Sequence, residues 1–298
     1  MSPIEQRRLR ILSGLLTIYI VWGSTYLGIR TTLQTLPPFI SASLRFLAAG
    51  PLLYAWARWR GAPKPTARQW RSAFIIGGLM LVGGNGGVVF AQQHVPSGVA
   101  ALVISTIPLW MVLLDWRLNG KNPTAGMWMG MALGAAGIGA LIGPDAARHT
   151  GAIEPVWALV LLGAALSWAI GTLLTRRLDL PDSGSLMTGM QMIAGGTLLA
   201  SIAGLHGEPA HFSFSQVSAA SWCALAYLVI VGSIIGFSAY FWLLRQTSIA
   251  TVSTYAFVNP LIAVALGCLL AGEPLTPRTL IAAALIIPGV ALIVRFRR

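Results

Sequence analysis

Tyr255 and Asn259 stand one helical turn apart in an apolar run and share a face, with Pro260 beside them. Polar groups inside a membrane are costly, so such residues are the first candidates for contact with a solute. Asn85 lies mid-run among Gly83, Gly84, Gly86 and Gly87, where its amide can bond a solute or a neighbouring helix. Trp22 and Trp168 sit too deep in their runs for the interfacial belt, which suits Trp56, Trp59, Trp70, Trp116 and Trp242. They can pack a core or offer a flat apolar wall. Ser24, Thr25 and Tyr26 add hydroxyls just beyond Trp22. The substrate-binding candidates are thus Trp22, Ser24, Tyr26, Asn85, Trp168, Tyr255 and Asn259. Pro108 and Pro260 each remove a backbone donor within a run, which predicts kinked, gating helices. Arg45 falls roughly 9–10 Å into its run. It is expected to be structural, bonding backbone carbonyls, with an anion in the path as the other reading. Arg30, nearer an edge, is expected to snorkel outward.

The missing chemistry is equally informative. No Asp or Glu falls mid-run; Asp115 and Glu273 stand at run ends. Proton coupling through a central carboxylate therefore has no seat, and facilitated diffusion becomes a serious option. Cationic drugs would want buried carboxylates and are poor cargo. Neutral, zwitterionic or anionic solutes with an apolar or aromatic part fit better. His206, Glu208 and His211 form the only cluster worth considering for a metal, and no third ligand is evident. Cys223 and Cys268 lack metal-site spacing and read as core residues. No catalytic residue, metal or cofactor is assigned. Gln92, Gln93 and His94 end the third run, as an entrance or as a wet loop.

The elements that must position these residues follow from composition. A mean hydropathy of +0.74, with 56% hydrophobic and 9% charged residues, lies far from soluble usage. Apolar runs are expected as helices over 11–33, 39–59, 72–91, 98–117, 124–143, 155–175, 184–204, 219–243, 250–271 and 277–295. Sixteen of the twenty Lys/Arg occupy alternate gaps, while the intervening gaps hold only Arg148 and Arg278. That alternation is the positive-inside pattern, and it places both termini in the cytoplasm. The net charge of +12 is scattered over six gaps, which argues against a nucleic-acid surface. The run after Arg7, Arg8 and Arg10 is too long for a cleavable signal peptide.

The chain also repeats itself. At an offset of 152, residues 108–137 match residues 260–289 at ten of thirty positions, including Pro108/Pro260, Gly120/Gly272 and Gly137/Gly289. Trp22/Trp168 and Arg30/Arg176 match more weakly at an offset of 146. Five helices per copy is odd, so the second copy enters from the opposite side. The fold expected is an all-α integral membrane protein of ten transmembrane helices as two inverted five-helix repeats, 1–150 and 151–298. Such halves can exchange inward- and outward-open shapes around a site at their interface.

Trp22-Gly23-Ser24-Thr25-Tyr26, Arg45-Phe46, Gly84-Asn85-Gly86, Val95-Pro96-Ser97-Gly98, Ser167-Trp168-Ala169, Gly232-Ser233, Tyr255-Ala256-Phe257-Val258-Asn259-Pro260 and Gly272-Glu273 fall in order along nearly the whole chain. Together they resemble the EamA branch of the drug/metabolite transporter superfamily, most closely its YedA-type members. The resemblance implies two EamA repeats in an inner membrane and export of amino acids or related metabolites. It also implies a solute path between the halves. One departure is Gly120-Lys121, where the second half has Gly272-Glu273. The expected partners are a small-molecule substrate and the lipid bilayer, with no nucleic acid, and a monomer would suffice. An intramembrane enzyme or a channel-like facilitator is the competing function.

Overall fold

Ten apolar helices carry the chain, which a computed structural model describes over residues 3–120, 122–142 and 153–296. Lys121 and Arg148, used in the readings above, lie outside the described residues. In order the helices are α1 (Glu5–Thr32), α2 (Pro38–Trp59), α3 (Ala67–Ala91), α4 (Ser97–Asn119), α5 (Ala125–Leu141), α6 (Pro155–Leu174), α7 (Gly184–Leu205), α8 (Ala219–Gln246), α9 (Tyr255–Ala271) and α10 (Pro277–Phe296). Eight are long and apolar enough to cross a bilayer, and α5 and α9 are shorter. No strand forms among the described residues beyond one bridge, Ile142 to Ile153.

Packing follows a pairwise rule. The helix α2 lies along α7, and α5 along α10. The helix α1 packs on α8 and α9, just as α6 packs on α3 and α4. Adding five to a helix number thus exchanges one contact for another. Small residues let these backbones approach. A Cβ on Gly130 of α5 would lie 2.5 Å from Gly289 O of α10, and one on Gly289 would lie 2.7 Å from Gly130 O. The matched pair Gly120 and Gly272 ends α4 and α9 at φ 66° and 62°, a left-handed turn that glycine adopts without strain. Large apolar side chains such as Leu159, Leu269 and Ile230 stay exposed on the perimeter, where lipid would meet them. Cys223, read as a core residue, is also exposed.

Two features depart from uninterrupted spans. The helix α4 is broken at Ser105-Thr106, and a second break at Ser253-Thr254 separates a short helical turn, Ile249–Val252, from the start of α9. The helices α3 and α8 carry π-helical stretches, Gly78–Gly86 and Leu228–Ile235.

Side-chain contacts tie the helix ends into two groups. Arg7 donates to Gln246 O (3.2 Å), Arg177 to Asn119 Oδ1 (3.1 Å), and Arg68 pairs with Asp179 (3.7 Å). At the other end His94 stacks on Trp157, and Thr35 bonds Ser221 (2.8 Å).

Candidate functional site

One cavity, with about 60 Å³ of space open to water-sized molecules, lies against the break in α4, the start of α9 and the π-helical stretch of α3. Six of the seven candidates named from sequence line it: Trp22, Tyr26, Asn85, Trp168, Tyr255 and Asn259. Arg45, Ile104, Ile107 and Phe237 join them.

An aromatic cluster forms one wall. The Trp22 and Trp168 rings meet edge-on, with centroids 5.5 Å apart at 89°. Trp22 also meets Tyr255 at 5.3 Å and 88°, Phe237 at 5.3 Å and Tyr240 at 4.9 Å. Each indole rests on a glycine of the other half's third helix. A Cβ on Gly84 of α3 would lie 2.9 Å from the Trp168 ring, and one on Gly236 of α8 would lie 2.6 Å from Trp22 Nε1. Trp22 Nε1 donates to Gly232 O (3.3 Å), and Ser167 Oγ to Leu79 O (2.7 Å). Both carbonyls belong to the π-helical stretches, where the altered backbone register leaves acceptors to satisfy.

The polar members differ in what they already bond. Asn259 is buried. With its amide nitrogen toward α1, it donates to Tyr19 O (3.1 Å) and to Tyr255 O (3.2 Å), so it ties α9 to α1 as well as facing the cavity. Asn85 and the Tyr26 hydroxyl have no hydrogen-bond partner among the described residues. Trp168 Nε1 and the Tyr255 hydroxyl are buried and lie near each other without completing a hydrogen bond of ordinary geometry. Arg45 is buried, and its Nε donates to Ser233 Oγ of α8 (2.7 Å), not to the backbone carbonyls expected for it.

Other expectations are corrected. Ser24 does not reach the cavity; its hydroxyl bonds the Tyr227 hydroxyl (2.6 Å) and the carbonyls of Ile20 and Val21 (2.8 Å each), joining α1 to α8. Pro108 follows directly on the break in α4, whereas no break accompanies Pro260. Pro108 lies in the first turn after Ser105-Thr106, where its missing N–H goes unneeded, and Pro260 lies inside a continuous α9. At the break in α4, the Ser105 hydroxyl donates to Leu102 O (2.6 Å) and that of Thr106 to Val103 O (2.7 Å). Arg30 does not snorkel; it pairs with Glu273 (3.2 Å). The Glu208 carboxylate accepts from Phe39 N (3.1 Å) and Ile40 N (2.8 Å), and the ring of His206 packs against Phe39 and Phe90. Gln92 is buried and Gln93 exposed.

A model of the EamA-like transporter family matches residues 9–143 and again residues 155–295. The chain belongs to the EamA-like transporter family. Among relatives of this EamA-like chain, the uncharacterized inner membrane transporter YedA of Escherichia coli (strain K12) is 38% identical over 96% of this chain and 90% of its own. Protein PecM of Dickeya dadantii is 28% identical over 92% and 88%. The uncharacterized transporter YvbV of Bacillus subtilis is 25% identical over 98% and 93%. One crystal structure shares the fold at a TM-score of 0.64 and 22% identity, covering 96% of each chain. As an EamA-like protein this chain is a multi-pass membrane transporter.

Sequence reasoning passed over Phe237, Ile104 and Ile107, which carry no polar signal. It also passed over the two Ser-Thr breaks, although Val103-Ile104-Ser105-Thr106 and Thr251-Val252-Ser253-Thr254 are visibly alike.

Proposed function

We propose that this EamA-like chain is a secondary transporter that exports small organic solutes, amino acids or related metabolites, across the inner membrane by alternating access. The cavity is the observation that carries the reading. Its walls come from both copies of the family repeat, at equivalent places: Trp22 against Gly236, and Trp168 against Gly84. In two inverted five-helix units, 1–150 and 151–298, with both termini cytoplasmic, that site would sit on the pseudo-two-fold axis. The contacts that recur when five is added to each helix number support that symmetry. The relatives named as inner membrane transporters support the location.

Trp22, Trp168, Phe237 and Tyr255 would receive the apolar part of the solute, with Tyr26, Asn85 and Asn259 as its polar contacts. Among the described residues that line the cavity there is no carboxylate, so the proposal includes flux without a proton partner.

Proteoliposomes test it. Uptake of a labelled amino-acid mixture should saturate, be stimulated by unlabelled amino acids inside, and persist when the pH gradient is collapsed. Flux that never saturates and shows no counterflow would sink the carrier. Flux that vanishes with the gradient would sink the uncoupled form.

A further inference from the structure

Arg45 is a cation with no counter-charge. It stands seven residues, roughly 10 Å, inside the start of α2, and is 3% exposed. Among the described residues the ion pairs are Arg30–Glu273 and Arg68–Asp179, and neither involves it. Its Nε is held by Ser233 Oγ, and the Phe46 ring centroid lies 5.0 Å from Cζ. Nη1 and Nη2 make no hydrogen bond among the described residues. A buried charge left unpaired costs several kcal/mol unless something solvates it. Here the something is the cavity, since Arg45 is one of its lining residues and the only charged one described there.

The rest of the polar lining points the same way. Trp168 Nε1 is a donor and cannot accept, and it lies near the Tyr240 and Tyr255 hydroxyls without completing a bond of ordinary geometry. The Tyr255 hydroxyl beside that indole is buried and likewise completes no bond of ordinary geometry, and Tyr26 adds another hydroxyl. A recessed pocket whose described lining has one cation, several donors without a completed bond and no carboxylate attracts an acceptor-rich anion. The planar fork of a guanidinium matches a carboxylate better than a spherical ion.

We infer that Arg45 is the carboxylate-binding residue of the cavity, and that the solute is a small organic acid or zwitterion whose apolar body lies on Trp22 and Trp168. This rests on the carrier reading above and narrows its cargo.

The test uses the purified full chain and five probes at equal concentration: 3-phenylpropionate, L-phenylalanine, L-phenylalaninamide, phenethylamine and inorganic phosphate. Thermal unfolding reads binding, and counterflow in proteoliposomes reads transport. The two carboxylates should raise the unfolding midpoint and exchange, while the amide, the amine and phosphate should not. Arg45→Gln should weaken carboxylate binding by about tenfold or more, and Arg45→Lys by less. Three results would each overturn the assignment: amide and amine binding as well as the acids, Arg45→Gln binding them like wild type, or none of the five binding. Protection by phosphate as strong as by 3-phenylpropionate would reduce the site to one for inorganic anions, and would overturn it too. Should Arg45→Gln fail to fold, the wild-type ranking of acid against amide still decides. Saturable counterflow of the amino-acid mixture without any preference for carboxylates would leave the carrier standing and remove only this inference.

Discussion

Glu208 and Glu273 show how single residues hold this fold. Neither α2 nor α4 has a side-chain cap of its own; each begins at a proline-containing turn, Pro37-Pro38 and Pro96-Ser97. The caps come from far along the chain. Glu208 takes the amides of Phe39 and Ile40, and Glu273 takes those of Ser97 (2.8 Å) and Gly98 (3.2 Å). A carboxylate there satisfies orphan donors and complements the positive end of the helix. Because Glu273 is buried and Arg30 is 40% exposed, the cap should outweigh the ion pair. Glu273→Ala is expected to cost about 2–4 kcal/mol, against about 0–1 for Arg30→Ala. Unfolding both variants in one detergent decides it, and equal losses would show that the ion pair, not the cap, carries the stability. Glu273 was legible as an acid kept at the outer end of its helix, but its partners lie 175 and 176 residues away and no local pattern reports them.

The ten helices were readable because lipid imposes a length and an apolar composition on every span. The interruptions were not. Proline was expected to kink α4 and α9, yet only Pro108 adjoins a break, and both breaks sit where hydroxyl side chains bond nearby carbonyls, as Thr254 does to Thr251 O (2.6 Å). The repeat matches at offsets of 152 and 146, whereas the two Ser-Thr pairs are 148 apart. The second half holds an extra turn, Tyr255 to Val258, between break and proline, and that turn brings Tyr255 into the cavity. The π-helical stretches have no composition of their own; what gives them away is tertiary, an indole seated on Gly84 and another on Gly236. Ser24 failed as a site residue because adjacent positions on a helix face different ways, and its face meets α8. These contacts predict a sharp contrast between glycines. Gly236→Ala must push the Trp22 indole aside, at about 1–3 kcal/mol of overpacking, and should lower flux. Gly163→Ala on α6 meets nothing within 4 Å and should leave both stability and flux as they are. Parallel unfolding and counterflow assays of the two variants check this, and a Gly236→Ala protein that transports like wild type would disconnect the indole seat from the solute path.

Across the whole molecule, charge and symmetry pull in different directions, and their difference is informative. The contacts of α1 with α8 and α9 recur as those of α6 with α3 and α4, so the two family repeats pack alike. Their charges are not interchangeable. One end gathers Arg7, Arg68, Arg177 and Arg245, the last donating to Pro181 O (2.9 Å). The other end holds the two buried acids, Glu208 and Glu273, each serving a helix start of the first half. If the halves are threaded in opposite senses, the residue after Gly120 faces the cytoplasm and the one after Gly272 faces outward, which explains Lys121 in one place and Glu273 in the other. Asn122 and Pro274 are matched at the same offset of 152, and both are exposed. With Cys223 and Cys268 replaced by Ser, a thiol reagent that cannot cross the membrane should label Pro274→Cys in intact cells. It should label Asn122→Cys only after the cells are opened. Labelling of both from the same side would end the opposed threading, and with it the argument that one cavity can face each compartment in turn.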